Sequence, residues 1–162
     1  MKTLFLYIGF VFFLVKIDVQ SVRQDYKNAV KSKEIAVLLN KKLAKVTKGN
    51  NKTLVAYKGA TLTLLSKQQK AIKNKKPFFK NGVSLIEYAI KKEPNNIEIR
   101  FIRLSIQQNI PKFLKYNKHI TEDKKFVLSK LKSIKSTSLK KYILDYINYS
   151  KHFSETEKSQ VN

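Results

Sequence analysis

Three arginines stand in a chain that otherwise chooses lysine. Of 34 basic residues only Arg23, Arg100 and Arg103 are arginine. Arg100 and Arg103 are three residues apart, which makes them neighbours on a helix, and Glu98 lies close by. Arginine presents a planar fork of donors that lysine cannot reproduce, so its use against a lysine background points to a carboxylate or phosphate gripped at two points. Two readings fit. The forks close a buried bridge to Glu87 or Glu98 and hold helix to helix, or they form an anion-binding spot on a groove.

Catalytic chemistry finds little support. A hydrolase needs a nucleophile, a base and an orienting acid. The two histidines, His119 and His152, each sit beside lysine, and neither has an obvious orienting carboxylate, so both read as surface residues. Glu98 and Asp123 fit the first turns of helices, where an acid faces the positive end of the dipole. There is no cysteine, hence no thiolate, disulfide, cysteine-ligated metal or lipid-bearing cysteine. No histidine array suits a metal, and the four scattered glycines make no phosphate loop. A non-enzyme without metal or cofactor is expected.

The elements that must position these residues are helices. Apolar residues recur at spacings of three and four: Val22, Tyr26, Ala29 and Val30; then Ile35, Leu38, Leu39, Leu43 and Val46. Gly49-Asn50-Asn51 breaks the pattern. Thr53 is the expected cap of a third helix through Leu54, Tyr57, Thr61, Leu64 and Leu65, apolar around much of its circumference and so central. The lysine-rich residues 67–76 read as a loop or frayed end, and Pro77 as the start of a fourth helix. A fifth helix runs past Ile99, and Pro111 opens a short sixth. Thr121 is the expected cap of the next helix, and Ser136-Thr137-Ser138 separates it from a last one through Leu139, Ile143 and Ile147. No segment shows hairpin alternation. The fold class is all-α, with seven to eight helices. The organisation is a signal peptide at 1–21, one helical domain at 22–153 and a polar flexible tail at 154–162.

The three prolines, Pro77, Pro94 and Pro111, are evenly 17 residues apart. Two such steps match the period of about 34 residues of a helix–turn–helix repeat. Gly82, Ile86, Ala89 and Pro94 resemble the second helix and closing proline of a tetratricopeptide repeat. Phe101 and Leu104 continue like the first helix of the next. The chain also resembles uncharacterised secreted bacterial helical-repeat proteins. This resemblance implies antiparallel helix pairs in a short right-handed array, against the alternative of an irregular helical bundle. It also implies a groove lined by the first helices of the repeats. Tyr57, Lys58, Glu98, Arg100 and Arg103 are the binding residues such a groove would carry, with a protein or peptide as partner.

The formal charge of +23 comes with 43% hydrophobic residues, which rules out a disordered polyelectrolyte. So strong a positive field suits an anionic partner. Scarce arginine argues against nucleic acid, so lipid or polysaccharide of the cell envelope is the rival reading. Lys2 followed by 12 apolar residues at 4–15 has the layout of a secretory signal. The run is too short for a spanning helix of about 20 residues. Cleavage is expected near Ser21 and Val22, giving an exported protein, periplasmic or secreted and not a lipoprotein, with no spanning segment after cleavage; the alternative is a segment kept as an uncleaved anchor.

Overall fold

Short polar side chains set most of the helix starts, by accepting N–H groups that have no partner in a first turn. The computed structural model describes residues 17–69 and 71–161. Over these the chain is all-α, with eight helices, two 3₁₀ turns and no strand. Asp18 caps α1 (Val19–Ala29), Ser32 caps α2 (Lys33–Lys42) and Asn51 caps α3 (Lys52–Gln68). The long α4 (Ile72–Lys92) follows, then α5 (Ile97–Asn109), capped by Asn96. α6 (Ile120–Lys130), α7 (Thr137–Tyr149) and the short α8 (Glu155–Ser159) complete the order. Among the described residues no helix is long and apolar enough to cross a membrane. Residues 1–16, most of the expected signal segment, lie outside the described residues, and the expected cleavage point falls within α1.

Several boundaries differ from expectation. α4 begins five residues before Pro77, which sits inside it. Lysine is a good helix former and nothing between Ile72 and Lys76 breaks a helix, so the cost of one lost backbone bond at proline is tolerated. The cap of α3 is Asn51, whose Oδ1 accepts from the N–H groups of Thr53 (2.9 Å) and Leu54 (3.2 Å). α6 starts before Thr121, behind His119 and without a side-chain cap. Pro111 opens a single 3₁₀ turn, Lys112–Leu114, stopped by Lys115 in the left-handed region. The tail carries α8, closed by a reciprocal capping box between Ser154 and Glu157.

Two hydrophobic clusters share one helix. The first gathers α1 to α5 around α3, with Val22, Leu39, Tyr57, Ile86 and Ala89 buried. The second joins α5, α6 and α7 through Phe101, Leu104, Val127, Ile143 and Ile147. α5 feeds Ile99, Ile102 and Ile106 to the first and Phe101 and Leu104 to the second. Nine of its 13 residues are buried. Pro94 lies exposed in the turn that precedes it.

α3 and α4 cross backbone against backbone. A Cβ on Gly82 would lie 2.5 Å from the carbonyl oxygen of Gly59, and one on Gly59 would lie 2.5 Å from that of Gly82. Helix propensity favours alanine over glycine by about 1 kcal/mol. Here sterics should win, because backbone cannot rotate aside as a side chain can. Gly82→Ala is predicted to lower the unfolding free energy by about 2 kcal/mol. Gly49→Ala, whose Cβ would only touch Thr47 at 3.6 Å, should be neutral. Urea midpoints of the two variants check this, and a rise for Gly82→Ala would refute the crossing.

Candidate functional site

All three arginines are buried and all bind carboxylates of their own chain. Glu98 enters the interior from the first turn of α5. Arg23 of α1 grips it with both arms of its fork, Nε to Oε1 at 2.7 Å and Nη2 to Oε2 at 2.9 Å. The hydroxyl of Tyr57 on α3 donates to Oε1 at 2.7 Å. Arg23 Nη1 then donates to Ser138 Oγ on α7 at 3.0 Å. One carboxylate thus ties together α1, α3, α5 and α7.

A second knot lies across α5. Glu98 and Arg100 are about 200° apart around the helix, so they face opposite ways. Asp123 of α6, fully buried, takes the fork of Arg103 at 2.6 and 2.9 Å. Arg103 Nη1 reaches Glu87 of α4 at 3.0 Å, and the Tyr116 hydroxyl donates to the other oxygen of Glu87 at 2.5 Å. Burial opposes the charge on Arg103, but Asp123 and Glu87 together outweigh it and raise the guanidinium above its ordinary value. Arg100 Nε lies 2.6 Å from Asp123 Oδ1 but off the N–H axis, so this contact is Coulombic rather than a directed hydrogen bond. Its Nη2 meets Glu122 at 2.7 Å, and its plane lies 4.6 Å from the centre of the Phe126 ring.

The residues expected on a groove therefore turn inward. Tyr57 and Glu98 belong to the first knot, Arg100 and Arg103 to the second. The Arg103–Glu87 bridge is present, whereas Glu98 is taken by Arg23. Lys58 donates to the carbonyls of Ala44 (2.9 Å) and Val46 (2.7 Å), satisfying acceptors just beyond α2. Asp123 is a buried counter-ion more than a first-turn acid. His119 does have a carboxylate partner, Glu122 at 3.0 Å from Nδ1, on an exposed helix start. No group of acidic or histidine side chains among the described residues could hold a metal.

An open groove lies elsewhere, at the C-terminal ends of α1, α3, α5 and α7. It encloses about 430 Å³. Tyr26, Tyr142, Tyr146 and Tyr149 line it together with Val30, Leu64 and Ile106, and Lys27, Lys31 and Lys67 stand around it. Val30 is 57% exposed and Tyr149 91%. Asp145 is the one acid of the lining, 3.6 Å from Lys27. The sequence held a signal for this groove in the i, i+4 tyrosines of the last long helix, which periodicity assigns to the core. Comparison with known proteins adds no relationship: no protein-family model matches, and no curated protein or solved structure is significantly similar.

Five of the eight tyrosines, Tyr26, Tyr57, Tyr116, Tyr142 and Tyr146, are raised above the ordinary phenol value, in each case first by burial. Glu98 adds to the shift of Tyr57, and Glu87 to that of Tyr116. In the unfolded chain these phenols ionise near about pH 10. Their contribution to stability is therefore complete below that value and is lost as pH rises above it. In an ultraviolet titration the five should ionise only as the helical circular dichroism collapses. Smooth ionisation of every tyrosine near pH 10 with the helix signal intact would contradict their burial.

Proposed function

We propose that this chain is a non-enzymatic helical binding protein of the cell envelope, built on tetratricopeptide-like helix pairs. It takes an acidic peptide segment with an apolar anchor in the tyrosine-lined groove. The observation that carries this reading is the groove itself: exposed Val30 and Tyr149 beside buried Tyr26 and half-buried Tyr142 and Tyr146, with three lysines against one aspartate. Tyrosine gives large, rigid contact area and a hydroxyl at little entropic cost, which suits peptide recognition. The lysine surplus favours an acidic partner and disfavours a basic one. The first helices of the pairs supply the walls, as the repeat-like reading expects, but at their ends rather than along a concave face. Export is supported by the N-terminal pattern of Lys2 and the apolar residues 4–15.

The rival is diffuse attraction of anionic lipid or polysaccharide to the lysine surface. Salt and two exposed substitutions separate them. A fluorescent peptide of glutamates around a Leu-Phe anchor should bind, and binding should survive a rise from ~50 to 200 mM salt. Val30→Glu and Tyr149→Ala, both at exposed positions, should each weaken it about tenfold. Loss of binding with salt, and indifference to both substitutions, would refute the groove and favour diffuse charge.

A further inference from the structure

A second cavity, of about 580 Å³, lies between the last turn of α5, one face of α6 and the C-terminal helix α8. Its wall holds an unusual feature. Gln107 is 2% exposed, yet neither Nε2 nor Oε1 of its carboxamide has a hydrogen-bond partner. The next residue repeats the pattern in part. Gln108 Oε1 accepts from the Tyr146 hydroxyl at 2.9 Å, but its Nε2 is buried and unpartnered. Three buried polar atoms on consecutive residues thus find no partner within the chain, and a buried polar atom left unpaired is costly. Both residues line the same cavity.

The rest of the lining has surplus positive charge. Lys124 is matched by Glu157 at 2.6 Å. Lys112 and Lys125 have no ion-pair partner among the described residues. Ile120 and Leu128 supply an apolar floor along α6. A ligand that answers all three features carries a donor and an acceptor side by side for Gln107, an anionic group for the lysines and small apolar substituents. A carboxamide that is free at both ends pairs with another amide by two hydrogen bonds. A carboxylate makes charge-assisted bonds to ammonium groups.

We propose that this cavity binds a small peptide carboxylate: the free C-terminus of a short peptide, with a backbone amide on Gln107 and the terminal carboxylate between Lys112 and Lys125. The site adjoins the tyrosine groove at Ile110 and through the Gln108–Tyr146 bond, but its ligand contacts are its own, and it stands whether or not that groove binds a partner. The two are told apart by the substitutions that disturb them.

The test is an amide-resolved NMR titration of the full chain with N-acetyl-alanyl-alanine, its C-terminal amide and inorganic phosphate. The free acid should give saturable shifts of the Gln107 and Gln108 side-chain amides, while the C-terminal amide binds about tenfold more weakly. Phosphate should leave the Gln107 amide unmoved. Gln107→Leu removes the orphaned atoms at similar volume, so it should leave the melting temperature unchanged or higher while weakening the free acid about tenfold. The Lys112→Ala, Lys125→Ala pair should weaken it comparably, and Val30→Glu should not affect it. Three results would overturn the proposal. Gln107→Leu could lower the melting temperature and leave binding intact, which would mean that buried water satisfies the amide. Phosphate could shift the same resonances as strongly as the peptide, which would mean a site for charge alone. The side-chain amides could stay unmoved at millimolar peptide.

Discussion

Glu98 and Asp123 are the two acids buried deepest in a chain of 11 acids and 34 bases, and the fold turns on where they sit. Each is reached by an arginine fork from a different element. Both knots pass through α5, which contributes Glu98 on one side and Arg100 and Arg103 on the other. Such pairs add little net stability against a well-packed apolar replacement, because desolvation offsets attraction. Breaking one is a different matter, since leaving one partner alone costs about 3–5 kcal/mol. A helix arrangement that separates Arg23 from Glu98, or Arg103 from Asp123, is therefore penalised by the charges it strands, in addition to any loss of hydrophobic packing.

This constraint also decides where a partner can be met. The inner faces of α1, α3, α5 and α7 are occupied by Arg23, Tyr57, Glu98 and the aromatic contacts of Phe101 with Tyr142 and Tyr146, whose ring centres lie 5.3 and 5.1 Å away. The interior that a repeat array would leave open is filled by the chain itself. Accessible space lies at the margins, among it the tyrosine-lined groove at the helix ends, the cavity beside Gln107 and a cavity of about 520 Å³ beside Arg23 and Ser138. Lysine, hydrated and flexible, stays at those margins. Arginine, with its rigid fork, goes inside.

The helices were legible wherever local chemistry agreed with packing. Pro94 stands at the turn expected of it, and the all-round apolar character of the third helix announced its central place. Gly82 stood out only as a position of the repeat-like pattern and its crossing partner Gly59 not at all, because a contact between helices leaves no trace in a single segment. Pro77 misled, since proline at a helix start and proline one turn further in look alike when the preceding residues are helix formers. Thr121 misled in the same way, a good cap that the backbone does not use. Arginine scarcity flagged the chemically special residues, and Arg23 belonged with them from the start. Composition could not say that their partners lay within the chain. Pairing across 75 positions, as between Arg23 and Glu98, is a property of the tertiary fold.

The most direct measurement of this account is a double-mutant cycle on Arg23 and Glu98, read by urea unfolding. Arg23→Ala and Glu98→Ala should each remove about 3–5 kcal/mol, because each strands a buried charge. The double variant should lose about 2–3 kcal/mol less than the sum of the two single losses. Additive losses, or single variants as stable as the parent, would contradict a fold organised around a buried carboxylate.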